Sequence, residues 1–105
     1  MKWTSGIAVA VAAMVLGIAA ASAATIKVTI KGLKFLPAEV TAHVGDTIEW
    51  TNQDPMAHTA TARNKDWDVS VPAGKVASVV IAKAGAVDYF CRIHPSMTGK
   101  IVVSQ

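Results

Sequence analysis

The stretch Thr25-Ile26-Lys27-Val28-Thr29-Ile30-Lys31 alternates apolar with polar residues, and most of its side chains are β-branched. Such side chains restrict χ1 and favour the pleated, half-buried surface of a sheet. A period of two over seven residues predicts a β-strand with one face in a core and the other toward solvent. We therefore expect the globular part of the chain to begin with a strand.

The same alternation returns at intervals along the chain. It covers residues 39–43, 47–51 and 58–62. Residues 76–81 are β-rich and largely apolar, residues 86–91 and 101–104 are predicted as the last two strands, and turn residues such as Gly45 and Pro72 separate these segments. Residues 67–71 fit either a strand or a loop. About seven short strands with no helical apolar period predict an all-β fold, an antiparallel Greek-key β-sandwich. We interpret the larger aromatic residues as core packing residues: Trp50, Trp67, Tyr89 and Phe90.

Residues 1–24 have the composition of a secretory signal peptide. Lys2 gives a positive start, residues 7–21 are apolar, and Ala21-Ser22-Ala23 is a small-residue cleavage site. The apolar run of about 15 residues is shorter than the roughly 20 needed to cross a bilayer, which disfavours a membrane anchor. We expect cleavage after Ala23 or Ala24, which leaves one domain over residues 25–105, exported to the periplasm with no membrane span.

Length and charge exclude several function classes. The 105 residues carry 10 Lys or Arg and 7 Asp or Glu, and the basic residues stand singly rather than in clusters. Nucleic-acid binding needs clustered cations beside aromatic stacking platforms, so we exclude it. The chain is too short for a second cofactor-binding domain. Cys91 is its one cysteine and cannot form an intrachain disulfide, so a metal is the first candidate for stabilising so small a core.

The loop Cys91-Arg92-Ile93-His94-Pro95-Ser96-Met97 places a thiol, an imidazole and a thioether three residues apart. A thiolate, two imidazoles and a weak axial thioether suit copper that cycles between Cu(I) and Cu(II). With the His and Met frequencies of this chain, the spacing arises by chance about once in 900. The second imidazole must come from elsewhere. We favour His58, which begins a strand after a Pro-containing loop, over His43, which we interpret as a solvated turn residue.

These residues resemble those of the small type 1 blue-copper proteins, the cupredoxins. The similar segments are Phe35-Leu36-Pro37, residues 44–52, His58, Asp88-Tyr89-Phe90-Cys91-x-x-His94-Pro95-x-Met97 and residues 99–103. The short ligand loop is most similar to that of the amicyanin branch. The resemblance implies a cupredoxin fold that holds one type 1 copper ion. It also implies His58, Cys91 and His94 as equatorial ligands and Met97 as the axial ligand.

Two positions depart from the family's pattern. Thr59 stands where many members have an Asn that ties the two ligand loops together, and a hydroxyl makes a shorter brace. His58 and Cys91 are 33 positions apart, fewer than in the amicyanin branch. We therefore expect a strand or loop to be missing around residues 63–72.

The leading hypothesis is a one-electron carrier and not an enzyme, because four protein donors leave no position on the ion for a substrate. Electrons would pass through the edge of His94, inside an apolar patch formed by Leu36, Pro37, Met56, Ala57, Ile93 and Pro95. By resemblance, the partners of this monomer are redox proteins such as a c-type cytochrome or a periplasmic dehydrogenase.

Two alternatives use the same residues. The protein could be an exported copper-binding or copper-delivery protein with no role in electron transfer. Cys91 and His94 could instead be the nucleophile and base of a thiol enzyme. That second alternative is disfavoured, because the sequence shows neither a third orienting residue nor an oxyanion-hole signature.

Overall fold

A computed structural model describes residues 22–105 of the chain. This part consists of nine strands joined by turns and loops: β1 (Thr25–Ile30), β2 (Phe35–Leu36), β3 (Glu39–His43), β4 (Thr47–Asn52), β5 (His58–Ala62), β6 (Asp68–Val71), β7 (Val76–Val80), β8 (Gly85–Phe90) and β9 (Thr98–Ser104). Within residues 22–105 there is no helix that could cross a membrane. The expected signal peptide falls almost entirely on residues 1–21, outside the described residues, and stays a prediction.

The nine strands form the two sheets of a sandwich. The first sheet has the order β2-β1-β4-β7, and the second has the order β3-β9-β8-β5-β6. Most neighbouring strands are antiparallel, but β1 runs parallel to β4 and β3 runs parallel to β9. The chain crosses from the first sheet to the second between β2 and β3. As a result, strands that no hairpin joins become neighbours. The predicted all-β sandwich is confirmed, with mixed rather than purely antiparallel strands.

All seven predicted strands are present within a few residues of their expected bounds. The two additional strands are β2, which is too short to show a period, and β6, which lies in the segment that fits either a strand or a loop. The region of residues 63–72 therefore keeps a strand although it is short. β9 begins at Thr98 rather than at the expected Ile101, because Phe90 at the end of β8 already pairs with Thr98.

Alternation places the apolar side chains of both sheets in one core. Val28 and Ile30 of β1 and Ile48 and Trp50 of β4 are fully buried, as is Ile101 of β9. Burying each such side chain stabilises the fold by about 1.5 to 3 kcal/mol before the loss of conformational entropy is counted. The loops at the His58 end of the sandwich are therefore attached to a well-packed core.

Four aromatic side chains join the two sheets. Trp50 donates its indole N–H to the Tyr89 hydroxyl at 3.3 Å, and the Tyr89 ring lies 4.6 Å from Phe35 and 5.6 Å from Trp67, centroid to centroid. Burial raises the pKa of Tyr89 to about 12, against the opposing effect of the Trp50 N–H donor. Trp50, Trp67 and Tyr89 are core packing residues, as predicted. The expectation for Phe90 was wrong, since its half-buried ring lies on the outer face, 4.4 Å beneath the Arg63 guanidinium.

Gly99 gives the Tyr89 ring its place in the core. It lies opposite Tyr89 in the β8–β9 pair, and a Cβ at this position would come within 2.6 Å of both the Cε1 and the hydroxyl oxygen of Tyr89. The absence of a side chain at Gly99 thus leaves room for the ring that hydrogen bonds to Trp50.

We predict that Gly99→Ala destabilises the protein by about 1 to 3 kcal/mol, because the core must move to admit the extra carbon. Urea unfolding followed by far-UV circular dichroism measures the loss. The exposed neighbour Thr98 supplies the control, and Thr98→Ala should have a much smaller effect. Equal losses for the two variants would contradict this account of Gly99.

Candidate metal centre

The predicted donors lie at one end of the sandwich. His58 is the first residue of β5, Cys91 directly follows β8, His94 lies in the loop between β8 and β9, and Met97 directly precedes β9. Two backbone hydrogen bonds close that loop: Met97 N–H donates to the His94 carbonyl at 2.9 Å, and Cys91 N–H donates to the Met97 carbonyl at 3.1 Å. The three-residue spacing therefore forms a tight turn that holds its side chains on one side.

Three donor atoms converge at this end. Cys91 Sγ lies 3.7 Å from His58 Nδ1 and 4.0 Å from His94 Nδ1, and the donor atoms of all three residues lie within 4.8 Å of one another. His58 and Cys91 are buried, with 1% and 0% of their surface exposed, whereas His94 is half-buried. The structure thus brings together one residue from a strand and two from a loop, far apart in sequence.

Met97 and His43 have opposite surroundings. Met97 is 2% exposed and belongs to the same buried cluster as Cys91. The side chain of His43 is 71% exposed and lies 3.8 Å from Asp46, at the end of the sandwich where β3 pairs with the last residues of β9. His43 is therefore remote from the three converging donors.

The donor set fits a copper ion. Two atoms that bind one ion at about 2.0 to 2.3 Å with trigonal angles are separated by about 3.5 to 4.0 Å. Both sulfur–nitrogen separations, 3.7 and 4.0 Å, fall in this range. A thiolate favours Cu(I), imidazole tolerates both oxidation states, and three such donors in one plane are typical of type 1 copper.

A buried carboxylate fixes the orientation of His58. Asp54 Oδ1 accepts the backbone N–H of Gly32 at 2.7 Å, and Oδ2 accepts that of Leu33 at 3.0 Å. His58 Nε2 lies 2.9 Å from the same Oδ2. The N–H donors, chiefly that of Leu33, lower the pKa of Asp54 despite its burial. The carboxylate therefore selects the tautomer with a proton on Nε2, which leaves the lone pair of Nδ1 facing Cys91.

Asp54 is a site residue that sequence reasoning missed. It lies in the polar loop between β4 and β5, where no periodic pattern indicates which side chains are buried. Its own position is set by Asn52, whose side-chain oxygen accepts the Asp54 N–H at 2.9 Å. The same amide donates to the carbonyls of Met56 and Val71. A carboxylate four residues before a candidate His is the one signal that could have revealed it.

Cys91 is surrounded by hydrogen-bond donors. Thr59 N–H donates to its sulfur at 3.3 Å. Burial on its own raises the pKa of this thiol, but hydrogen bonds, chiefly from the N–H groups of Thr59 and His94, outweigh burial and lower the pKa to about 6. The thiolate, which is the form that binds metals, is therefore favoured at neutral pH.

A chain of hydrogen bonds joins the two ligand segments on the outer face of the second sheet. Arg92 N–H donates to Thr59 Oγ1 at 2.8 Å, and the two hydroxyls of Thr59 and Thr61 are 2.9 Å apart. Thr61 donates to Asp68 at 2.8 Å, and the same carboxylate oxygen accepts Arg92 Nε–H at 3.1 Å. Because the Thr61 proton points to Asp68, Thr59 must donate to Thr61.

These four hydrogen bonds form a closed ring of donors and acceptors that begins and ends at Arg92, which we call the Thr59–Asp68 circuit. The Thr61 hydroxyl, followed by the Arg92 guanidinium, lowers the pKa of Asp68 and so keeps it charged. Hydrogen bonds that run in one direction strengthen one another. The expected short brace at Thr59 is thus present, and it continues through Thr61 to Asp68 on the neighbouring strand β6 and back to Arg92.

For the thiol-enzyme alternative, Asp54 supplies the third orienting residue that the sequence did not show, but the thiol of Cys91 is not accessible to a substrate. His58 lies between Cys91 and Asp54 in the order of a nucleophile, base and acid. The sulfur, however, is 0% exposed, and a second imidazole lies 4.0 Å from it. A nucleophile that no substrate can reach is poorly suited to covalent catalysis, so the geometry favours a closed metal site.

We predict that Thr59→Val destabilises the protein by about 1 to 2 kcal/mol, because Arg92 N–H and Thr61 Oγ1 each lose a partner. Thr59→Ser keeps the hydroxyl and should retain most of that stability. Urea unfolding of the two variants checks the prediction, and a Val variant as stable as the wild type would contradict this role of the hydroxyl.

The low pKa of Cys91 makes the stability of the metal-free protein depend on pH. A group with a depressed folded-state pKa contributes stability that is complete above its unfolded value and disappears as pH falls through the folded value. For Cys91 the window extends from about 6 to the ordinary value of 9.0. The free energy of unfolding of the wild type, relative to Cys91→Ser, should therefore rise between pH 6 and pH 9. Urea titrations in a chelating buffer measure it, and a constant difference would contradict the prediction.

Comparison with known proteins agrees with this centre. Residues 5–103 match the cupredoxin-like domain family. Amicyanin of Paracoccus versutus is 32% identical over 82 residues, covering 72% of this chain and 62% of that protein, so the chain spans a little under two thirds of its relative. Amicyanin-alpha of Methylorubrum extorquens is 33% identical over 89 residues, covering 79% of this chain and 75% of that protein.

The fold gives the same result. A solved structure of an amicyanin variant in its reduced Cu(I) form has a TM-score of 0.67 and 31% identity, covering 84% of this chain and 88% of that chain. The predicted resemblance to the small type 1 blue-copper proteins is confirmed, and this chain belongs to the cupredoxin family.

Proposed function

We propose that this protein is an exported one-electron carrier in which His58, Cys91, His94 and Met97 hold one type 1 copper ion. The observation that carries the proposal is the convergence of one thiolate and two imidazoles, with sulfur–nitrogen separations of 3.7 and 4.0 Å. When bound, copper supplies reversible exchange of a single electron between Cu(I) and Cu(II). The relatives named above, which are amicyanins, support this function.

The residues around the donors keep the site closed and rigid. Asp54 holds the ring of His58, and the Thr59 N–H and the Thr59–Asp68 circuit hold the segment after Cys91. A site that changes little between oxidation states exchanges electrons with little reorganisation. Four protein donors leave no position for a substrate, which supports a carrier rather than an enzyme.

His94 is the route for electrons in and out of the site. It is half-buried, whereas His58 and Cys91 are buried. The six residues of the apolar patch expected around it are all exposed: Leu36, Pro37, Met56, Ala57, Ile93 and Pro95. The proposed partners are other redox proteins, such as a c-type cytochrome or a periplasmic dehydrogenase, that contact this patch. The signal peptide, which ends at Ala23 or Ala24, is proposed to direct export to the periplasm and then to be removed.

The first test is the visible spectrum of residues 24–105 after addition of one equivalent of Cu(II). We expect an intense blue thiolate-to-copper band that ascorbate bleaches and an oxidant restores. Cys91→Ala should lose the band, whereas His43→Ala, which removes a histidine remote from the donors, should keep it. A colourless product from the wild type would refute the electron-carrier proposal.

The same samples separate the carrier from a copper-delivery protein. A carrier keeps Cu(I) through repeated oxidation and reduction, whereas a delivery protein gives it up to a competing Cu(I) chelator within minutes. Rapid loss of Cu(I), with a weak or absent blue band, would favour delivery.

A further inference from the structure

The end of the sandwich that holds His94 collects lysines from two separate loops. Lys31 and Lys34 flank the Gly32-Leu33 turn, which Lys31 N–H closes by donating to the Lys34 carbonyl at 3.1 Å. The two N–H groups of that turn donate to Asp54, the carboxylate that orients His58. The turn and its two exposed lysines therefore lie next to the carboxylate that orients His58.

Lys75 reaches the same end from the other side. The loop between β6 and β7 is fixed there because Asn52 N–H donates to the Lys75 carbonyl at 2.9 Å. The side chain of Asn52 donates to Met56, in the loop that precedes His58. Lys31, Lys34 and Lys75 are all exposed, and none of them forms an ion pair with another residue of the described range 22–105.

Most of the negative charges near this end are neutralised or buried, and the exception is the exposed carboxylate of Glu39, the first residue of β3. Asp54 is 8% exposed and is engaged by three N–H donors. Asp68 forms an ion pair with Arg92. Asp88, further along β8, pairs with Lys100. The three exposed lysines outnumber this one exposed carboxylate, so the end around His94 carries an excess of positive charge, which the even spread of charges along the sequence does not reveal.

Apolar side chains lie between these lysines. Among residues 22–105, most of the exposed large apolar side chains belong to the loops and strand ends around His94: Leu33, Leu36, Met56, Val76 and Ile93. Leu33 and Val76 were not among the patch residues expected from the sequence. An apolar centre with a cationic rim is the form of a surface that binds briefly and is guided by charge.

We propose that this surface docks an acidic redox protein, one whose own electron-transfer site is apolar and ringed by carboxylates. The inference rests on the proposed function and specifies its partner class. Charges at the rim of an interface act mainly on the association rate and weaken as salt rises. Lys31, Lys34 and Lys75 therefore accelerate encounter, while the apolar centre brings the partner close to His94.

The test compares two double variants of equal net charge. Lys34→Gln/Lys75→Gln removes two rim charges. Lys65→Gln/Lys83→Gln removes two charges from the opposite end of the sandwich, near the β5–β6 turn and the β7–β8 turn. Stopped-flow mixing of the copper-loaded proteins with an acidic c-type cytochrome should show a rate about three- to tenfold lower for the first pair and nearly unchanged for the second. With a basic c-type cytochrome the first pair should instead react faster.

A binding readout accompanies the rates. Chemical shifts of the diamagnetic Cu(I) protein, titrated with the acidic cytochrome at low salt, should change around residues 31–36, 56 and 93 and recover as salt is added. Equal slowing by both pairs, or slowing by the second pair alone, would overturn the proposal. The blue band is recorded first for every variant, so that a failed copper site is distinguished from a failed docking surface.

A second inference concerns the start of the mature chain, and it rests on Ala24. Ala24 N–H donates to Asp46 Oδ1 at 2.8 Å, and the Ala24 carbonyl accepts Thr47 N–H at 2.9 Å. Asp46 is 5% exposed, and its other oxygen accepts His43 N–H. Ser22 and Ala23 are exposed and lie before β1. Among residues 22–105, hydrogen bonds to the sandwich therefore begin at Ala24.

We infer that the signal peptide is cut after Ala23 and that the new α-ammonium group of Ala24 pairs with Asp46. Hydrolysis of the Ala23–Ala24 bond by water leaves a carboxylate on Ala23 and an amine on Ala24, at the nitrogen that already faces Asp46. A cut after Ala24 would instead remove this donor and the acceptor of Thr47 N–H. The sequence alone fits both cuts equally.

Intact mass of the exported protein identifies the first residue, since the two products differ by one alanine. A chain that begins at Thr25 would overturn the inference. The ion pair is tested by N-terminal acetylation, which removes the charge but keeps the N–H donor. Acetylation should lower the Tm by about 5 °C, and it should have almost no effect in Asp46→Asn. An unchanged Tm in the acetylated wild type would refute the pairing.

Discussion

A sulfur atom that carries negative charge and has no contact with water is the constraint on which this structure depends. Such a thiolate is destabilised by burial unless nearby donors compensate it. Here the compensation comes from separate elements: the N–H of Thr59 at the start of β5 and the N–H of His94 in the ligand loop. None of these donors is adjacent to Cys91 in the chain, so the position of each loop is set by the needs of one atom.

The remaining parts of the fold hold those donors still. The aromatic cluster of Trp50, Trp67, Tyr89 and Phe35 locks the two sheets together below the site. Asp54 joins the β1–β2 turn to His58 from one side, and the Thr59–Asp68 circuit joins β5 and β6 to Arg92 from the other. The donors are therefore held by the scaffold before any ion binds, which is what a carrier of single electrons requires.

Local patterns revealed the strands and the ligand loop because both are encoded by residues close in sequence. The alternation from Thr25 to Lys31 and the spacing of Cys91, His94 and Met97 needed no knowledge of neighbours. The parallel pairing of β1 with β4 and of β3 with β9 could not be read in this way, because it depends on where the chain changes sheet. The roles of Asp54 and Asp68 were hidden for the same reason, since one lies in a loop and the other begins the short strand β6, and no period in the sequence indicates their partners.

The order of the strands also sets the order in which the site can be assembled. His58 begins the fifth strand, but the other three predicted donors lie between β8 and β9, and β9 must enter its sheet between β3 and β8 before that loop is closed. In a chain that emerges with its amino terminus first, His58 is thus the one predicted donor present until the segment after β8 has emerged. Capture of the ion becomes a late event that reports completed folding, and an unfinished or unfolded chain offers little to the metals of the compartment in which it is made.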